Sequence, residues 1–410
     1  MADAGIRVRA YNVGLGDCFL VTFPDGDQTR NMLIDFGCAP NQSELAFNQI
    51  VENIFEETNG HLDVIVLSHA HIDHVGGFLS RQSMFDKFVV DQVWMGLPSK
   101  PGFIRSQCAK TMRRVLEQAA EFHAANRTDK ATIAQSFETL VLNNLETTEP
   151  IDYVRKLPAK KSCVKYLKRG DTIPNNTFSQ NVEIEVLAPE SDVSLYYEDS
   201  DEDDYDLISD LDSVCKRLDS RLSEKNKKKH PIFSNGDYKN VSCVDHPKNL
   251  PSREWRLLRK QNLNFGVQEM RALDCAINNT SLVLLLKING KTLLFPGDAE
   301  ATSWYWIRYC PACAESDQEH PDCPECKRID KSLVSVDFFK LSDHGSKSGS
   351  PRDLIDRLSP STIVMVSKKD NVYGTKHPKS DPGLLSCLKE KHKTNLISTD
   401  GDRLWVDAKL

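Results

Sequence analysis

The chain runs from an apolar stretch into a dense polar knot at Leu62-Asp63-Val64-Ile65-Val66-Leu67-Ser68-His69-Ala70-His71-Ile72-Asp73-His74-Val75-Gly76-Gly77-Phe78. The first half is apolar and rich in β-branched residues, which predicts a buried strand. The polar cluster stands at the end of that strand, where a rigid scaffold holds out a loop for chemistry. His69 and His71 are two residues apart, so in extended backbone their side chains leave on the same side. Asp73 and His74 follow where the chain turns, and Gly76-Gly77 is expected to let the backbone fold tightly over the site. Three imidazoles and a carboxylate within six residues suit a borderline cation such as zinc. A plain surface loop seldom collects that set at strand spacing.

The spacing His-x-His-x-Asp-His followed by Gly-Gly is similar to the signature of the metallo-β-lactamase superfamily. Further stretches follow in order: Tyr11-Asn12-Val13-Gly14-Leu15-Gly16-Asp17-Cys18, Leu33-Ile34-Asp35-Phe36-Gly37, Asn278-Asn279-Thr280-Ser281-Leu282-Val283-Leu284, Leu294-Phe295-Pro296-Gly297-Asp298-Ala299-Glu300 and Asp343-His344-Gly345-Ser346. Together they resemble the soluble hydrolase domain of ComEC-like competence proteins, over residues 7–98, 162–190 and 272–410. The resemblance implies an α/β fold, the metallo-β-lactamase αββα sandwich of two mixed sheets, spread over residues 1–410.

With 410 residues, 40% of them apolar and 27% charged, the chain has material for a sizeable core and room for insertions. No apolar run approaches the roughly 18–20 residues that span a bilayer, and Met1–Arg7 lacks a signal-peptide core. No membrane association and a cytoplasmic location are the expectations. A net charge of −7 argues against a chain coated in basic surface for nucleic acid, while leaving room for a local basic groove. Without a secretory route, most of the twelve cysteines are expected to stay reduced.

Residues 6–23 alternate, turn at Pro24-Asp25-Gly26-Asp27 and return at 31–35, which predicts a hairpin. In the resembled family this hairpin packs beneath the site, with Asp17 and Asp35 near it. A role in stabilising turns is the favoured reading of both carboxylates. Residues 43–57 carry apolar side chains at helical spacing, and 78–88 are expected to continue as a helix. The stretch 100–160 reads as a helical insertion. An acidic block at 198–206 and a lysine run at 225–229 mark 191–270 as a charged, partly flexible insertion. Strands follow at 281–288, 292–295, 334–341 and 362–367, so that four strand ends present polar groups, at 69–74, 298, 344 and 377, which is what a site shared between two sheets needs.

Cys310-Pro311-Ala312-Cys313 and Cys323-Pro324-Glu325-Cys326 form two Cys-x-x-Cys pairs separated by nine residues. Two such knuckles predict a structural zinc held by four thiolates, within an insertion at 308–328. This knuckle is absent from the common pattern of the resembled family. It is expected to stiffen a loop that contacts substrate or, like the charged insertion, to offer a surface to a protein partner.

By resemblance, His69 and His71 bind one metal, Asp73 and His74 a second, Asp298 bridges them and His344 completes the second. Such a site holds one or two zinc ions, with manganese an alternative, and yields a metal-activated hydroxide as nucleophile. The same likeness gives Asp73 a catalytic part in orienting that hydroxide. Many family members carry a further histidine on the strand before the Gly-Asp turn; here Asp274 and the Asn278-Asn279 pair occupy that region, which puts the first metal in question. His377 is the candidate general acid. Ser346, Lys347 and Ser348 directly follow His344 and are candidates for holding an anionic phosphoryl group. Lys368, Lys369 and Lys376 add local positive charge. The expected activity is metal-dependent hydrolysis of phosphodiester bonds, in nucleic acid or in a small nucleotide. Hydrolysis of a lactone, thioester or amide is the rival enzyme class, and a binding scaffold with a vestigial metal site is the rival non-enzyme.

Overall fold

The computed structural model describes residues 5–14, 16–37, 44–103, 147–173, 177–179, 181–192, 196, 274–310, 313, 323–367, 380–399, 401 and 403–410. The chain divides into two units, one made of Met1–Pro101, Glu146–Tyr196 and Ile277–Leu410, the other of Gly102–Leu145 and Tyr197–Ala276. The second lies almost wholly outside the described residues, and most of the helical insertion at 100–160 and nearly all of the charged insertion at 191–270 fall there too.

Among the described residues, the first unit has thirteen strands in two sheets. Arg7–Tyr11 (β1), Phe19–Asp25 (β2), Gln28–Ile34 (β3), His61–Leu67 (β4), Val89–Gly96 (β5), Val164–Leu167 (β6) and Trp405–Lys409 (β13) form one, in the order β13-β1-β2-β3-β4-β5-β6. Val182–Ala188 (β7), Val283–Ile288 (β8), Lys291–Phe295 (β9), Phe338–Lys340 (β10), Ile363–Val366 (β11) and Leu396–Ser398 (β12) form the other, in the order β12-β11-β10-β9-β8-β7. Each sheet mixes antiparallel and parallel pairings, three of each in the first and two antiparallel with three parallel in the second, the mixed arrangement expected of an αββα sandwich.

The two-residue period of a strand explains the layering. In β2, Phe19, Val21 and Phe23 face the other sheet while Leu20 faces outward; in β4, Val64 and Val66 point inward and Ile65 and Leu67 outward. Strand β8 sends Leu284, Leu286 and Ile288 to the same inner core and Val283 and Leu285 to the opposite face. Phe295 closes the inner layer, with its ring centroid 5.9 Å from Phe19 and 5.2 Å from Phe338. Both faces of β4 and β8 are therefore apolar, as strands covered on two sides must be.

Helices cover the two outer faces. Glu44–Thr58 (α1), Ile72–Ser80 (α2), Gln82–Phe85 (α3) and Thr148–Val154 (α4) pack on the first sheet through Phe47, Ile50, Ile54, Phe78, Phe85 and Val154. Ala301–Arg308 (α5), Pro324–Val334 (α6), Arg352–Arg357 (α7) and Pro382–His392 (α8) pack on the second through Trp304, Ile307, Leu333, Leu354 and Leu388.

Three local expectations are refined. Residues 6–23 make two strands instead of one, because positive φ at Gly14 and Gly16 turns the chain and carries Asp17 into the interior. The helix expected at 78–88 is two helices, α2 and α3, ending before the strand at Val89. Gly76-Gly77 makes no tight turn over the site but lies inside α2. A Cβ on Gly77 would meet the Phe36 carbonyl oxygen at 2.6 Å, so the missing side chain lets α2 press on the end of β3.

Candidate metal centre

Four strand ends and the loop between β1 and β2 converge at one edge of the sandwich. Strand β3 delivers Asp35, β4 delivers Ser68, His69 and His71, β9 delivers Asp298, and β10 delivers Asp343 and His344. Gly37 makes the convergence possible: a Cβ there would fall 1.6 Å from the Asp73 carbonyl oxygen. With that space free, Asp17 N–H donates to Asp73 O at 3.1 Å and Phe36 N–H to His74 O at 2.9 Å, so three loops share one backbone network.

Asp73, His74, Asp298 and His344 are buried, and one donor atom from each lies within 4.8 Å of the others. His74 Nε2 is 3.1 Å from Asp298 Oδ2, and His344 Nε2 is 3.2 Å from that same oxygen and 3.4 Å from Asp73 Oδ2. The opposite ring nitrogens are already engaged. His74 Nδ1 is 2.8 Å from Asp35 Oδ2, and His344 Nδ1 is 3.1 Å from the Ser367 carbonyl oxygen. This arrangement orients an imidazole ligand and leaves Nε2 for a cation. His344 Nε2 is buried and faces the Asp298 and Asp73 carboxylate oxygens without a well-aligned hydrogen bond to either, as an inward-facing ligand atom would. The four residues fit a divalent metal.

His69 and His71 are brought together beside this group, with His69 Nε2 2.9 Å from His71 Nδ1 and Ser68 Oγ 2.9 Å from His69 Nδ1. The His69 and His74 rings lie 4.1 Å apart. No third His, Cys, Asp or Glu closes a compact set around His69 and His71 among the described residues. Asn278 and Asn279, which stand near the position of the missing family histidine, do other work. Asn278 Nδ2 donates to Glu300 at 2.6 Å, and Asn279 Oδ1 accepts from the Glu300 and Ser303 N–H groups. They fasten the turn after Asp298.

The electrostatics come from buried charges packed against one another. Burial opposes protonation of His74, but Asp298, Asp73 and Asp35 outweigh it and raise its pKa well above the usual histidine value. Against the same burial penalty, Asp298 and Asp17 push His344 up to about 10. His69 moves the other way, lowered by burial and by its neighbours His74 and His71. Asp298 is held well below the ordinary carboxylate range despite burial, chiefly by Lys340 and His344.

Lys340, Asp17 and Asp35 complete the site. Lys340 is 1% exposed in its side chain, ion-paired with Asp17, and bonded to Asp298 Oδ1 at 3.0 Å and Gly297 O at 2.7 Å. A lysine within Phe338-Phe339-Lys340-Leu341 is the sign that was available, since an apolar strand buries a cation only where a carboxylate waits. Asp17 and Asp35, read from sequence as turn carboxylates, instead contact Lys340 and His74 directly.

Beyond His344, Ser346 is buried and its hydroxyl accepts the Gly349 N–H at 3.1 Å, so it shapes the turn, while Lys347 and Ser348 are exposed. His377, Lys368, Lys369 and Lys376 lie outside the described residues. The four cysteines Cys310, Cys313, Cys323 and Cys326 gather within the same 4.8 Å limit, Cys310 Sγ lying 3.7 Å from Cys323 Sγ. The Cys323 thiol is drawn down to about 7 by the Cys326 backbone N–H, whereas Cys313 is pushed up by its hydrogen bond with Cys310 and Cys326 by burial, so in the metal-free chain the four share protons.

No helix among the described residues is long and apolar enough to cross a membrane. The family described as the Metallo-beta-lactamase superfamily matches residues 11–80, which hold β2 to β4 and the His-x-His-x-Asp-His stretch. ComE operon protein 3 of Bacillus subtilis (strain 168) is similar over 146 residues at 29% identity, covering 35% of this chain and 16% of that relative. The matched part is thus about a sixth of the relative's length. On this arrangement of sheets and ligands the chain has the metallo-β-lactamase fold, and its sequence is similar to that superfamily over residues 11–80 and, in part, to ComE operon protein 3.

Proposed function

We propose that the chain is a metal-dependent hydrolase of phosphodiester bonds, in nucleic acid or in a small nucleotide. The observation that carries this reading is the exposed pair Lys347-Ser348, three and four residues beyond the buried ligand His344, on a chain of net charge −7. A β-lactam or lactone brings no phosphate to such a cation, whereas a diester brings a negative charge to each linkage.

Asp73, His74, Asp298 and His344 would hold a zinc or manganese ion, with His69 and His71 available to a second. Bound there, the metal would supply a water acidic enough to attack at neutral pH and polarise the phosphoryl oxygen. The other roles belong to the side chains. Asp73 accepts the hydrogen bond that orients the attacking water. Asp35 and Ser367 fix the rings of His74 and His344, and Lys340 fixes Asp298. Lys347 offsets the charge of the phosphate. The four cysteines would hold a separate structural zinc that braces the segment between α5 and α6.

The test compares substrates on one preparation. Bis-p-nitrophenyl phosphate, nitrocefin and a lactone are offered with zinc or manganese, to the wild type and to Asp73→Ala. Cleavage of the diester alone, lost in Asp73→Ala, is the expected result. Cleavage of nitrocefin or the lactone in preference to the diester would overturn it.

A further inference from the structure

A cleft of about 560 Å³ opens between α5 and the loop that follows His344, within the size range of small-ligand sites. Its lining includes Trp304, Tyr305 and Tyr309 on one side, with Arg308, Lys347 and Arg352 around them. Each wall begins at a ligand of the metal centre: α5 starts three residues after Asp298, and Lys347 stands three residues after His344. Trp304 joins them, its indole N–H lying 3.1 Å from the Ala299 carbonyl oxygen and 2.5 Å from that of Gly349. Through Trp304 the helix and the loop that carry the two walls are tied to each other.

Its chemistry is specific. Tyr305 is 41% exposed, one of three large apolar side chains so exposed among the described residues, and its ring lies 4.9 Å from Tyr309. Arg308 is paired with Asp353 at 2.6 Å, so its charge is largely spent. Lys347 makes no ion pair among the described residues, and Arg352 has only a loose one, 3.8 Å from Asp356. Asp381 is the acid in the lining, and it is engaged by the Gly383 N–H at the start of α8. An aromatic face flanked by two available cations, on an acidic chain, matches a base with its phosphates better than an apolar peptide.

We infer that this cleft is a subsite that stacks a nucleobase of a single strand on Tyr305 and Tyr309, with the adjoining phosphates on Lys347 and Arg352. The subsite rests on the phosphodiesterase reading and names its substrate class as a strand with unpaired bases. The two walls of the cleft follow directly in the chain on Asp298 and His344, which is the reason to assign a strand bound here to the same site.

The experiment is fluorescence anisotropy with the full chain and a labelled, cleavage-resistant phosphorothioate 12-mer of thymidine, beside an abasic strand with the same backbone. The expected result is at least about fivefold tighter binding of the strand with bases, the factor that corresponds to the low end of base–aromatic stacking. Tyr305→Ala should erase that difference, and Lys347→Ala should reduce the slope of log affinity against log salt by about 0.7. Both side chains are exposed, so neither variant endangers the fold. Equal binding of the two strands, or no binding of either, overturns the subsite. Hydrolysis of bis-p-nitrophenyl phosphate, which has no base to stack, is measured in parallel. Its presence beside failed base-dependent binding would sink the subsite alone; its absence beside intact base-dependent binding would sink the hydrolase reading alone.

Discussion

Lys340 Nζ lies 3.0 Å from Asp298 Oδ1, and the other oxygen of that carboxylate, Oδ2, faces His74 Nε2 at 3.1 Å and His344 Nε2 at 3.2 Å. A cation of the protein thus holds one side of the ligand and presents the other. Lys340→Met keeps the length of the side chain and removes the charge, so Asp298 is free to rotate and Asp17 loses its ion pair. Metal affinity is expected to fall about 10–100-fold, as when a ligand's supporting hydrogen bond is lost. Isothermal titration with zinc and a thermal melt of the metal-free chain separate the possibilities. A lower melting temperature with unchanged affinity would make Lys340 a purely structural ion.

Metal uptake should depend on pH through His74 and His344. Both are raised above the usual histidine value against burial, by Asp298 above all, and His344 reaches about 10. At pH 7 the metal-free folded chain therefore carries protons that a metal must displace, and affinity should rise with pH up to about 10. Titrations in two buffers of different ionisation enthalpy should show proton release, up to one per imidazole. No release at pH 7 would contradict the assignment. By linkage, the raised His344 stabilises the metal-free fold fully below about pH 6.5, and that contribution is lost as pH climbs towards 10.

Backbone packing under the site gives a sharper contrast. A Cβ at Gly37 would collide with the Asp73 carbonyl at 1.6 Å, whereas one at Gly26 meets nothing within 4 Å although its φ is +64°. Gly26→Ala is expected to cost about 1–2 kcal/mol, the ordinary penalty of left-handed backbone. Gly37→Ala should cost more, about 4 kcal/mol or above, and should abolish metal binding at the histidines. Chemical denaturation and metal analysis check both. Equal effects would mean that the loops do not close on Asp73 as described.

The cysteine cluster should behave as an independent site. Cys323→Ser should lower the zinc content by one equivalent per chain and leave the metal at the histidines in place, while Asp73→Ala should do the reverse. Mass spectrometry of metals on the purified variants reads this directly. Loss of both metals from either variant would show one coupled site.

Much of this arrangement was legible in local sequence. The β-branched run before His69, the alternation through Leu284 and Phe295, and the spacing of four cysteines each carry their information within a few residues. Asp298 and His344 could be named because each stands at a strand end in a stretch that resembles the metallo-β-lactamase superfamily. What escaped was partnership across the sandwich. Lys340 is buried because Asp17 arrives from the β1–β2 loop, and Asp35 is more than a turn residue because His74 swings onto it. Neither contact leaves a trace in the spacing of its own segment. The aromatic face of α5 was missed for a similar reason: Trp304 and Tyr305 are neighbours in sequence, yet one is core and the other surface.

The central claim is a cation held among Asp73, His74, Asp298 and His344. Diffraction from crystals grown with zinc or manganese, recorded at the metal's absorption edge, tests it. The account predicts an anomalous peak within bonding distance of His74 Nε2, His344 Nε2, Asp298 Oδ2 and Asp73. Strong density at the four cysteines with none at these four residues would contradict it.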